Sequence, residues 1–245
     1  MLSLTKGTEV AKVMREKKVI ETVYLNDELG DDDDDEKVGG RYMKFKDKLV
    51  LTPPTKHFSL AVFGPSGVGK SFYINQFLLQ IRKRNKDRPI YVFSPVNDGD
   101  FEKVKPIYIR IDDSLLSDPL KIIEFANGVC VFDDIESLGK KLYAVISHFR
   151  DVCLETGRHQ NIDIISVSHI IQGNTATKKI INESDICIVF PRSNFNAIQK
   201  LVKNYYGFGK DDIEYLKAQG KTSRAVVIKR SFPTFILSDH AIKLI

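Results

Sequence analysis

Residues Gly64 to Ser71 read Gly-Pro-Ser-Gly-Val-Gly-Lys-Ser, directly after the apolar run Phe58-Ser-Leu-Ala-Val-Phe63. The octapeptide fits G-x-x-x-x-G-K-S/T, a loop whose backbone cradles phosphate groups. Gly64, Gly67 and Gly69 let the chain turn tightly, so successive N–H groups, including those of Pro65's neighbour Ser66 and of Val68, point at polyphosphate oxygens. Lys70 reaches the outer phosphates, and the Ser71 hydroxyl suits the Mg²⁺ that accompanies them. Context supports the match, because a strand-like run precedes the loop. After it, Phe72, Ile74, Phe77, Leu78 and Ile81 recur at helical spacing over Ser71 to Lys86. A helix starting near Lys70 adds favourable potential for an anion. The expected ligand is a nucleoside triphosphate with Mg²⁺, held by Gly64, Pro65, Ser66, Gly67, Val68, Gly69, Lys70 and Ser71.

The 245 residues suffice for one large domain with appendages, and 42% apolar against 28% charged residues suits a water-soluble core. No stretch approaches the roughly 20 uninterrupted apolar residues of a membrane span. The first residues, MLSLTKGTEVAKVMREKK, lack the apolar centre of a signal peptide, so secretion is not expected. Cys130, Cys153 and Cys187 have no metal-ligand spacing and read as reduced, buried thiols of an intracellular protein. Net charge is +5, and residues 192–245 hold ten Lys/Arg against four Asp/Glu. That excess is compatible with a polyanionic partner and equally with a lysine-rich solvated face.

Residues 1–57 are expected to form an N-terminal arm, with a short helix-like stretch from Val10 to Val23. The acidic run Asp31 to Glu36, followed by Gly39-Gly40, should act as a flexible linker, because like charges repel. Arg41 to Leu51 reads as a strand or edge element, and Pro53-Pro54 marks the entrance to a second region, 58–245. There strands at Phe58–Phe63, Ile90–Phe93, Ile107–Ile111, Val129–Phe132, Ile162–Val167 and Ile186–Phe190 alternate with helices at 71–86, 119–125, 138–155 and 178–181. That alternation predicts an α/β fold with a mainly parallel sheet flanked by helices. Residues 195–218 look helical, broken at Gly207 and Gly209. Ala225–Lys229 and Thr234–Leu237 suggest a C-terminal β-hairpin.

Gly128-Val-Cys-Val-Phe-Asp133-Asp134 is an apolar run ending in two carboxylates. After a phosphate loop, such a pair reads as the Walker B motif. Asp133 is the expected Mg²⁺ ligand, and Asp134 is placed to orient or deprotonate an attacking water. Glu136 is a second candidate base. An acidic pair is also common at strand ends and helix caps. His169, closing the strand Ile162-Asp-Ile-Ile-Ser-Val-Ser168, is the candidate sensor that touches both the terminal phosphate and the water.

The series GPSGVGKS, VCVFDD, then GRHQN leading into DIISVSH resembles the genome-packaging ATPases of the HerA/FtsK superfamily. The likeness is to those of poxviruses, giant DNA viruses and virophages, and it covers roughly 58–191. The resemblance implies an ASCE-type P-loop NTPase fold of the RecA/FtsK kind. It also implies a homo-oligomeric ring, pentamer or hexamer, that hydrolyses ATP and drives double-stranded DNA into a preformed capsid. Capsid vertex proteins would be its docking partners, and the host cytoplasm or a viral factory its location, with no membrane partner. Rings of this kind place an arginine from one subunit at its neighbour's nucleotide. Arg158 is the first candidate for that role, then Arg150 and Arg192. Superfamily members often carry Glu where Asp134 stands and Gln where His169 stands.

DNA contact would fall on phosphates, with Lys178 and Lys179 or Lys140 and Lys141 as candidates. Phe195, Tyr205 and Tyr206 read as core or subunit-contact residues. Two other readings stay open at this point. One is a P-loop kinase acting on a small acceptor, against which no arginine-rich lid is visible in 138–190. The other is a nucleotide-controlled assembly protein, which would not need the Asp133–Asp134 pair.

Overall fold

The computed structural model describes residues 1–26, 40–96, 99–169 and 175–245. The acidic run Asp31 to Glu36 lies outside the described residues. The chain forms two compact units, one of residues 56–188 and the other of residues 1–55 with 189–245. The expected division, an arm of 1–57 beside one domain of 58–245, therefore differs from the grouping observed.

The N-terminal segment contains β1 (Leu2–Ser3), β2 (Thr8–Arg15), β3 (Lys18–Leu25), β4 (Tyr42–Lys44) and β5 (Lys48–Leu51). The helix expected over Val10 to Val23 is instead the antiparallel pair β2–β3. The chain reverses at Glu16 and Lys17, whose φ angles are 47° and 70°. Two successive positive φ values give the turn twist that matches a β-hairpin. Val10, Ala11, Val13, Val23 and Leu25 are buried along its strands, where β-branched side chains pack well. The strand order β1-β3-β2-β5 makes a four-stranded sheet.

Residues 56–188 hold β6 (Ser59–Phe63), α1 (Lys70–Arg84), β7 (Ile90–Phe93), β8 (Ile107–Tyr108), β9 (Val129–Phe132), α2 (Lys140–Thr156), β10 (Asp163–Ser168) and α3 (Thr175–Glu183), and run into β11 (Ile186–Val189). The strands lie in the order β11-β6-β10-β9-β7-β8. β10 pairs in parallel with β6 and β9, and β7 in parallel with β9 and β8. A mainly parallel α/β architecture is what the apolar runs predicted, since such strands are buried on both faces. Every residue of β6, β9 and β10 is buried. Helix α1 buries Ile74, Phe77, Leu78 and Ile81, each worth about 1.5–3 kcal/mol, while Phe72, expected on the same face, is exposed. Arg82, Lys83 and Arg84 close its last turn, where the helix dipole favours cations. Residues 119–125 shorten to a 3₁₀ turn at Ile122–Phe125. Phe125 and Phe149 pack on Phe93, which stacks on Phe132 at 4.6 Å between ring centres.

The C-terminal segment contains α4 (Phe195–Tyr205), α5 (Lys210–Thr222), β12 (Val226–Lys229), β13 (Phe235–Leu237) and β14 (Ala241–Leu244). The expected hairpin is present as the antiparallel pair β12–β13. β14 then pairs with β13 and, on its other side, with β4, matching Ile242 to Met43. This pairing is why the N-terminal residues group with the C-terminal ones. Cys130, Cys153 and Cys187 are buried thiols outside any disulfide.

Candidate nucleotide-binding site

The phosphate loop leaves β6 at Phe63, and the Gly64 N–H donates to Ser168 O at 3.2 Å, tying the loop to the end of β10. Gly67 and Gly69 have φ angles of 76° and 100°, which side chains other than glycine rarely adopt. Pro65, Ser66 and Gly67 are exposed. Gly69 caps α1 with no side-chain acceptor, and the first turn of α1 has no acid. The helix-start N–H groups are thus left to an anion, as a phosphate site requires.

Lys70 is 6% exposed. Its ammonium donates to Gly64 O at 2.9 Å, Pro65 O at 3.1 Å and His169 Nδ1 at 3.1 Å. Burial pushes its pKa down, opposed by the charges of Asp134, Asp133 and Glu136. An ammonium has only donors, so Nδ1 accepts and the proton of the neutral ring sits on Nε2. That nitrogen lies against Asp134 Oδ1, so that its N–H faces the carboxylate without a well-directed hydrogen bond. His169 therefore joins the phosphate loop to the turn after β9. β10, which carries His169 at its end, lies between β6 and β9 and makes this contact feasible.

Asp133 directly follows β9, and its N–H donates to Phe93 O at 2.9 Å. Asp134 takes a left-handed conformation with φ 51°, a region that aspartate tolerates better than most residues. Its carbonyl accepts from Ser137 N at 3.1 Å and Ser137 Oγ at 2.8 Å, which fixes the turn. Glu136 Oε2 is shielded from solvent and has no hydrogen-bond partner among the described residues. An oxygen so placed costs about 1–3 kcal/mol unless a donor such as water reaches it. A glycine-lined helix start and a buried lysine within reach of three acidic charges fit a polyphosphate.

No family model matches the chain. Its fold is shared with the genome packaging NTPase B204 of Sulfolobus turreted icosahedral virus 2. In its complex with AMP, B204 is similar with a TM-score of 0.54 at 14% identity, over 75% of this chain and 96% of that one. The conjugation coupling protein TcpA of pCW3, in a monomer form with ATPγS, matches with a TM-score of 0.51 at 14% identity, over 94% of this chain and 76% of that one. In sequence, the chain is 33% identical over 201 residues to protein V3 of Sputnik virophage, itself uncharacterised, covering 80% of this chain and 81% of V3. The chain belongs to one family with V3 of Sputnik virophage, and it shares its fold with B204 and TcpA.

In this chain the arginine candidates fall in three different settings. Arg158 is exposed, in the 3₁₀ turn Gly157–Gln160 that precedes β10. It therefore lies at the opposite end of the parallel strands from its own phosphate loop, which follows β6. Arg150 is 1% exposed, and its Nε and Nη2 both donate to Asp151 Oδ1. Arg192 donates to Gly220 O and Lys221 O in the last turns of α5. Of the lysine pairs, Lys178, Lys140 and Lys141 are exposed, whereas Lys179 is ion-paired with Glu155 at 2.7 Å and Asp151 at 3.7 Å. Phe195, Tyr205 and Tyr206 are half-buried.

One polar cluster carried no motif. Asp163, 1% exposed, begins β10 and meets Arg88 Nη1 at 2.6 Å. A carboxylate inside the otherwise apolar run at Ile162–Val167 was the available signal, since an unpaired charge is not buried there.

Proposed function

We propose that this chain is the ATPase subunit of a homo-oligomeric ring, pentamer or hexamer, that hydrolyses ATP and drives double-stranded viral DNA into a preformed capsid. The observation that carries the reading is Lys70, buried in the phosphate loop and linked through His169 to the acidic turn after β9. A site that only held nucleotide would not need that link. Kinship with V3 and the fold shared with B204 support the viral packaging role.

In this reading the loop N–H groups and Lys70 grip the phosphates. Ser71 and Asp133 hold Mg²⁺, which when bound neutralises charge on the phosphoryl oxygens. Asp134 and His169 orient the attacking water near the terminal phosphate. DNA is gripped through its phosphates, without sequence preference. Capsid vertex proteins dock the ring, and the motor works in the host cytoplasm or a viral factory. Among the described residues no helix is long and apolar enough to cross a membrane.

The test is steady-state ATP hydrolysis with and without long duplex DNA across a salt series. Turnover is expected to rise with DNA, and the gain to fade as salt screens phosphate contacts. Turnover indifferent to DNA and raised by a small phosphate acceptor would replace the motor with a kinase.

Arg158 serves the neighbouring subunit's nucleotide, because its own loop lies at the other end of the strands. Arg158→Ala is expected to keep nucleotide affinity and lose turnover. Mixing it with Lys70→Ala subunits should restore part of the activity, since some interfaces then pair an intact Arg158 with an intact Lys70. Absence of recovery at every ratio removes Arg158 from this role.

A further inference from the structure

The turn after β9 carries a third carboxylate beyond the Asp133–Asp134 pair. We propose that Glu136 is the base that takes the proton from the attacking water, and that Asp134 is a positioning residue held by His169. This inference rests on the ATPase reading and divides the labour of that site.

The two acids differ in what surrounds them. Asp134 Oδ1 faces His169 Nε2, whose ring is oriented in turn by Lys70 at Nδ1. A carboxylate oxygen already facing a ring N–H is a poorer acceptor for a second proton. Asp134 is therefore suited to fixing His169 rather than to taking the proton itself. Glu136 Oε2 is shielded from solvent and meets no donor from the described residues. An ionised carboxylate only accepts hydrogen bonds, so this oxygen requires a donor that the described residues do not supply. A water molecule is such a donor.

The position of Glu136 is also fixed. It stands in the 3₁₀ turn Ile135–Ser137, whose Ile135 is 1% exposed. Leu138 N closes that turn on Ile135 O at 3.1 Å, and Ser137 N bonds Asp134 O at 3.1 Å. The turn lies near the phosphate loop, since the negative charge of Glu136 acts on the Lys70 ammonium together with those of Asp134 and Asp133. A base must be rigidly placed beside the reacting water, and these contacts supply that rigidity.

The step balances as a hydrolysis. The water oxygen bonds to the terminal phosphorus as the bond to the bridging oxygen breaks, and that electron pair leaves with ADP. One water proton passes to Glu136 and is then released to solvent, giving ADP and inorganic phosphate.

The experiment compares full-length wild type, Glu136→Gln and Asp134→Asn with Mg·ATP. Three quantities are read: affinity for a fluorescent ATP analogue, kcat as a function of pH, and the identity of the nucleotide retained after gel filtration. Glu136→Gln is expected to bind within about threefold of wild type, to retain ATP rather than ADP, and to turn over about 100-fold slower. Asp134→Asn should be slowed less and should keep the fall in kcat toward acid pH, which Glu136→Gln should lose. Glu136→Gln turnover within threefold of wild type would overturn the proposal, and so would loss of the acid limb in Asp134→Asn. Wild type that binds the analogue but never hydrolyses ATP, with DNA or without, would instead overturn the ATPase reading beneath it.

Discussion

Lys70→Ala is expected to weaken ATP binding by at least about 100-fold while leaving the fold intact. The ammonium is held by Gly64 O, Pro65 O and His169 Nδ1, so it is already aimed into the loop that would surround the phosphates. Hydrogen bonds from a charged donor are worth about 1.5–3 kcal/mol each, and two lost to phosphate oxygens give the stated factor. Burial disfavours the charged lysine and lowers its pKa, and the neighbouring acids offset part of that. A bound polyphosphate adds negative charge that opposes the effect of burial further, so the protonated form is the one that binds. The substitution also removes the link between His169 and the loop. Titration of a fluorescent ATP analogue into wild type and variant, with melting curves alongside, reads the effect. A variant that melts like wild type and binds within threefold of it would remove Lys70 from the phosphate site.

Asp163→Ala should cost 3–5 kcal/mol of stability, on the order of what breaking a buried ion pair costs when one partner is removed. Asp163 Oδ2 meets Arg88 at 2.6 Å, and Oδ1 accepts from Phe58 N at 3.0 Å. Arg88 further donates to Asn127 O, Gly128 O and Asn161 O. One carboxylate thus gathers the segments that lead into β6, β7, β9 and β10. Its loss strands a guanidinium that is largely enclosed by these segments. Replacing Arg88 by Met in the same chain should recover part of the loss, because no charge is then left unpaired. Urea denaturation of the three variants measures this. A single-variant loss below 1 kcal/mol would show the cluster to be dispensable.

The parts of the fold legible in the sequence were those whose signal is local. β7 and β9 have the limits expected from IYVF and VCVF, since strands buried on both faces read as unbroken apolar runs. The β2–β3 hairpin was hidden because its turn is Glu16-Lys17, with neither the asparagine nor the glycine that marks such turns. β14 escaped because Lys243 interrupts the apolar run of Ala241–Leu244. The phosphate loop and the acidic pair were readable as contiguous motifs. The contact of Lys70 with His169 was not, because it depends on β10 lying beside β6 and joins residues far apart in the chain. Asp163 and Arg88 meet for the same kind of reason, through strand order rather than spacing.

The pairing of β4 with β14 also sets an order of events on the ribosome. Residues 56–188 are contiguous, so every strand from β6 to β10 is available once that stretch has emerged. β4 is made early, but its partner follows about two hundred residues later, and such long-range pairing is slow to close. During synthesis the nucleotide-binding unit can therefore fold while Tyr42–Lys44 still exposes an unpaired strand edge. A nascent chain of this protein is open to premature association at β4 until β14 arrives to cover it.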